Sequence, residues 1–134
     1  MEAEAGFRDY IAAFNRGDTA AYGAFYCDDV TLVIADHTEL HGRQAIFDFY
    51  ARVTAGATRT LGVLNVLADE HLLAAELESE FLATRDLPDF PSGPMRAGDR
   101  LYINSFVFYD LVDGRYRRIR AATHRRAFRP AADD

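Results

Sequence analysis

The chain has 134 residues, 49% apolar and 27% charged, which excludes a disordered protein and fits one globular domain spanning residues 1–134. Its 15 basic residues, all arginine, stand against 21 acidic ones; a net charge of −6 disfavours nucleic acid as a partner, because displacing phosphate counterions needs a broad positive excess. Cys27 is the single cysteine, which excludes a disulfide framework, and no apolar run reaches the roughly 18 residues of a membrane span. The acidic start Met1-Glu2-Ala3-Glu4 lacks the basic lead of a signal peptide, so the cytoplasm is the expected compartment.

Residues 3–16 carry Ala3, Phe7, Tyr10, Ile11 and Phe14 at the spacing of one helical face. Gly17 reads as a helix stop and Asp18 as the cap of a short second helix over 19–26, with Cys27 buried at its end. Val30–Ala35 is a β-branched run of strand length, followed by a turn-rich stretch. A third helix is expected over Arg43–Ala55, burying Ala45, Ile46, Phe49, Tyr50 and Val53. After Ala55 the apolar period falls to two. Leu61–Ala68, Leu72–Thr84, Arg100–Leu111 and Arg115–Arg126 read as strands, the last two joined by a tight hairpin at Asp113-Gly114. Helices followed by strands define an α+β protein with an antiparallel sheet. Arg85–Asp99, with three prolines and two glycines, is a rim, a lid or an idle hairpin loop. Residues 127–134 are expected to fray.

Several landmarks together resemble the nuclear-transport-factor-2-like superfamily: Asn15-Arg16-Gly17-Asp18, then Phe25-Tyr26-Cys27-Asp28-Asp29-Val30, then Leu40-His41-Gly42-Arg43-Gln44-Ala45-Ile46, and late Asp113-Gly114-Arg115-Tyr116. Within it the chain resembles SnoaL-like domains, relatives of ketosteroid isomerase and polyketide cyclases. The fold this implies is cystatin-like: three N-terminal helices packed on a strongly curved, antiparallel or mixed sheet, forming a cone with an internal pocket. Fold does not settle function, because this architecture hosts both enzymes and adaptors. Resemblance to ketosteroid isomerase puts that family's oxyanion-hole tyrosine at Tyr10. It puts the proton-shuttling aspartate at Ile34, which cannot move a proton, and the protonated acid near Ser105. Asp36, two residues beyond Ile34, shares its side if the strand continues, and is the substitute base.

Strand parity assigns the pocket lining. Leu73, Ala75, Leu77, Ser79 and Phe81 alternate with Glu76, Glu78 and Glu80, and the apolar set is assigned inward. The opposite parity would put Glu78 or Glu80 in the pocket as an acid or base with a raised pKa. Family register turns Ile119, Ala121 and Thr123 inward, with Leu101, Ile103, Ser105 and Val107; Arg115 and Arg117 follow the same parity. The expected ligand wall is Phe14, Tyr26, Ile34, Phe49, Ser105, Ile119 and Thr123, with Tyr10 and Asp36 catalytic. No metal and no cofactor are expected, although His37, Glu39 and His41 would share a face in a strand. The outward set Tyr102, Asn104, Phe106 and Phe108 lies beside Arg118, Arg120 and His124. It suits a homodimer packed through the outer sheet face, or a solvated face on a monomer. The expected function is that of a small-molecule pocket protein, a cofactor-independent isomerase, cyclase or dehydratase acting on a hydrophobic carbonyl compound by general acid–base catalysis. The alternative is a non-catalytic ligand-binding or dimerisation module.

Overall fold

The computed structural model describes residues 2–132. Helix α1 (Glu2–Asn15) buries Phe7, Tyr10, Ile11 and Ala13 on one face, as the spacing requires. Gly17 takes φ 70° and ends it, and Asp18 caps α2 (Thr19–Gly23) by accepting from the Ala21 N–H at 3.1 Å. This second helix is shorter than the expected span to residue 26. Strand β1 (Tyr26–Ile34) already begins at Tyr26, which pairs with Tyr116, so Cys27 lies on a strand rather than at a helix end. Arg43, the first residue of α3 (Arg43–Val53), holds that start in place. Its guanidinium donates to the Tyr26 carbonyl at 2.6 Å and pairs with Asp28 at 2.8 Å.

A short strand absent from the sequence reading, β2 (Thr38–His41), pairs antiparallel with β1. Four polar-rich residues carry too little period-two signal to separate from a turn. Strands β3 (Ala57–Ala68), β4 (Leu72–Ala83), β5 (Arg100–Val112) and β6 (Arg115–Arg129) complete a six-stranded sheet ordered β2-β1-β6-β5-β4-β3. β1 runs parallel to β6 and every other neighbour is antiparallel, so the sheet is mixed. Residues 127–129, expected to fray, continue β6, and the Ala131 N–H donates to the buried Asp99 at 2.7 Å. Asp133 and Asp134 lie outside the described residues. Register shifts in β1, β3 and twice along β5–β6 bend the strands and curve the sheet, which stays open at both edges.

The helices pack on the concave side. Phe7, Tyr26, Ile46, Leu73 and Val30 are fully buried there, each apolar side chain of this kind contributing roughly 1.5–3 kcal/mol. On β4 the expected parity holds: Leu73, Ala75, Leu77, Ser79 and Phe81 are all buried. Glu76 points outward and accepts from Asn65 and Asn104, both at 2.8 Å, while Glu80 pairs with Arg100 at 3.6 Å. On β5, Leu101 and Val107 are buried, whereas Phe106 and Phe108 remain 48% and 46% exposed on the convex side. On β6 the simple parity fails at the start. A register shift between Asp110 and Leu111 turns Tyr116 inward, leaving Arg115 and Arg117 exposed; Arg117 pairs with Asp29 at 3.3 Å. Neither arginine faces the interior.

Candidate functional site

Between α1, α3 and the concave face lies a cavity of about 490 Å³, within the roughly 300–1,000 Å³ of small-molecule sites. The 84–99 connection closes part of its rim. That segment is packed rather than idle: Leu87 bridges to Met95, Phe90 stands edge-on to Phe81 at 5.5 Å, and Phe90, Pro91 and Ser92 contribute to the lining. Asp99 anchors its end by accepting from the Arg96 and Ala131 N–H groups, both at 2.7 Å, and these bonds hold its carboxyl below the usual value. A second hollow, about 450 Å³, sits beside the start of α1 and is edged by Glu2, Asp69 and Glu70. It contains none of the expected site residues.

The larger cavity gathers most of the expected wall: Tyr10, Phe14, Ile34, Phe49, Ser105, Ile119 and Thr123 all line it. Two expected residues do not. Tyr26 is 0% exposed and sits behind Tyr10, the two hydroxyls 2.7 Å apart. Asp36 is exposed in the turn between β1 and β2. The assumption that β1 continues past Ile34 fails, because Ala35 adopts φ 52° and the chain turns away. His37, two residues along that turn, is the group that reaches the lining; its Nδ1 lies 2.8 Å from the Thr38 hydroxyl.

Tyr10 is surrounded by aromatic rings, and burial is the main force pushing its pKa well above 10, with neighbouring Tyr26 and Tyr109 adding to it. Tyr109, also on the lining, is raised chiefly by burial as well. These phenols are therefore neutral hydrogen-bond donors, not bases.

Arg59 is the residue that the sequence reading missed. It lines the cavity from β3, opposite Phe81 in the register. Its guanidinium carbon lies 5.2 Å from the Phe14 ring, 5.3 Å from Tyr50 and 5.2 Å from Phe81, and Nη2 donates to the buried Ser79 hydroxyl at 3.1 Å. The strand was expected to start at Leu61, yet extending its period-two pattern back through Arg59 to Ala57 would have turned this arginine inward. Arg126, also on the lining, donates to the Ser92 carbonyl. Among the described residues the lining contains two arginines, one histidine and no carboxylate, so neither Glu78 nor Glu80 reaches it. Such a site can bind and polarise an oxygen, and its imidazole is the one lining group suited to accept a proton.

A curved sheet holding helices and a ligand-sized cavity on its concave side is a fold shared with nuclear-transport-factor-2-like proteins. More narrowly, the chain belongs to the SnoaL-like domain family, whose model matches residues 7–119. Similar solved structures include candidate polyketide cyclases from Xanthomonas campestris and Pseudomonas putida. The first is 24% identical with a TM-score of 0.78, covering 91% of this chain and 90% of that one. The second is 22% identical with a TM-score of 0.72, covering 90% of each chain. An LEH-like epoxide hydrolase of M. tuberculosis is 14% identical with a TM-score of 0.72, covering 92% of this chain and 83% of that one. Likeness at these identities establishes the fold alone. No protein with curated function matches the sequence. Among the described residues, no helix is long and apolar enough to cross a membrane.

Proposed function

We propose that the chain takes a hydrophobic, oxygenated small molecule into this cavity and acts on it as a cofactor-independent isomerase, cyclase or dehydratase of a carbonyl compound. One observation carries the reading: an apolar cavity lined by Arg59 and the neutral phenol of Tyr10, with His37 at its edge. A carbonyl oxygen gaining negative charge would be stabilised by the guanidinium and by a hydrogen bond from Tyr10. If His37 Nδ1–H donates to the Thr38 hydroxyl, Nε2 is left with a free lone pair to take a proton from the carbon beside the carbonyl and return it elsewhere on the ligand. Both turn residues are exposed, but His37 lines the cavity and Asp36 does not, so the proposal gives the proton to His37.

The test is solvent-deuterium exchange into 2-tetralone, followed by NMR with the full chain. Exchange above the buffer rate that disappears in His37→Gln, with binding retained, is expected. Binding without exchange would overturn catalysis and leave the second reading, a non-catalytic binding module. That reading is supported by Ile34 and Ser105, which line the cavity without a carboxylate where the resemblance would place two.

For assembly, we propose a homodimer through the convex sheet face. Phe106 and Phe108 stay about half exposed there, His124 stacks on Phe106 at 4.7 Å, and Arg120 lies over Phe108 at 5.5 Å. Sedimentation showing a monomer at micromolar concentration would refute it.

A further inference from the structure

We infer that the ligand of this cavity is an anion: a hydrophobic molecule whose planar, delocalised oxyanion seats on Arg59. The inference rests on the pocket reading above and names its ligand class. Arg59 forms no ion pair among the described residues, although Arg8, Arg16, Arg43, Arg100, Arg117 and Arg120 all do. A guanidinium offers five N–H donors. Of these, one meets a protein acceptor, the Ser79 hydroxyl, and Nε is buried with no partner at all.

Partly removing such a cation from water without a counter-charge is unfavourable, and a paired carboxylate from the protein is the usual remedy. Here the lining supplies none. Three ring faces, from α1, α3 and β4, soften the desolvation and fix the side chain in place. They satisfy no N–H group. Arg126 repeats the pattern at the rim, where its partner is the neutral Ser92 carbonyl. The electrostatic deficit of the cavity is therefore negative charge. A planar carboxylate or an ionised enol matches a guanidinium edge better than a neutral ketone does. Phe14, Leu32, Phe49, Leu61 and Phe81, also on the wall, suit an apolar body.

The experiment compares three probes sharing a fused-ring body by calorimetry on the full chain. They are 2-naphthoate, a carboxylate; 2-hydroxy-1,4-naphthoquinone, an enolate at neutral pH; and 2-acetylnaphthalene, a neutral ketone. At least one anion should bind about tenfold or more tighter than the ketone, as expected for a charge-assisted pair. The tighter of the two anions identifies the kind of oxyanion. In Arg59→Gln the anion-over-ketone ratio should fall to about one, with an unchanged circular dichroism spectrum and a cooperative urea transition reporting an intact fold. Arg59→Met, which keeps apolar contact with the three rings, gives the same reading if the glutamine variant does not fold. Ketone binding as tight as both anions, or a preference untouched by either substitution, would overturn the inference while leaving the pocket reading in place. Failure of all three probes to bind would overturn both.

Discussion

The Tyr10 and Tyr26 hydroxyls are joined to each other beside the cavity, so removing either one leaves the other without its partner. Tyr10 and Tyr26 are 4% and 0% exposed, and their oxygens are 2.7 Å apart. Tyr10→Phe removes one hydroxyl with almost no change of shape, so it creates no large cavity. It leaves the Tyr26 hydroxyl buried without this partner, at a cost of roughly 1–3 kcal/mol. Tyr26→Phe should cost less, because Tyr10, unlike Tyr26, lines the cavity, where water or ligand can approach it. The double substitution removes both polar atoms and should lie within about 1 kcal/mol of the parent, since apolar groups of matching shape then face each other. Urea denaturation of the four proteins closes the cycle, and the coupling should be at least about 1 kcal/mol. Additive single effects would refute the claim that these hydroxyls satisfy each other.

Other consequences follow from the same geometry. Burial raises the pKa values of Tyr10, Tyr26, Tyr109 and Tyr116, and lifts Tyr22 from 10.0 to about 12, so above pH 10 the folded chain holds protons that the unfolded chain has released. Stability is therefore fully present below pH 10 and falls as pH rises, by about 1.4 kcal/mol per pH unit for each fully buried tyrosine. Urea midpoints and phenolate absorbance measured together test this; early ionisation without loss of stability would contradict it. Asn15→Ala should destabilise by roughly 1–3 kcal/mol, because its amide both donates to the Leu61 carbonyl at 2.9 Å and accepts from the Leu61 N–H at 2.8 Å. A urea midpoint unchanged from the parent would contradict it. Asp99→Asn should speed amide hydrogen exchange at Arg96 and Ala131 without altering exchange in α1, since its carboxylate accepts from both backbone groups. Unchanged protection at those two amides would show that the carboxylate does not anchor the loop.

How far the sequence could be read depended on whether neighbouring side chains contrasted. On β4, alternation of apolar residues with Glu76, Glu78 and Glu80 made the inward face plain, and the structure follows it. The Asp113-Gly114 hairpin was equally legible, because both residues take positive φ, at 53° and 78°, where this pair is favoured. Parity failed where the ladder shifts. A bulge leaves no mark in the residue types around Arg115–Arg118, so Tyr116 and the flanking arginines exchanged sides. The candidate site divides in the same way. Its wall was accessible through the resemblance and strand alternation, whereas Asp36 was misplaced by the turn at Ala35. Arg59 was missed because Ala57-Thr58-Arg59-Thr60 resembles a loop until the register with β4 shows it to be a strand.

The seating of a hydrophobic oxyanion on Arg59 in the concave cavity is decided by a crystal structure of the chain grown with whichever of 2-naphthoate and 2-hydroxy-1,4-naphthoquinone binds more tightly. Density for the fused rings is expected between Phe14 and the sheet, with the oxyanion hydrogen-bonded to the Arg59 guanidinium. An empty cavity at saturating concentrations of both anions, or an anion bound there with its charged group turned away from Arg59, would refute it.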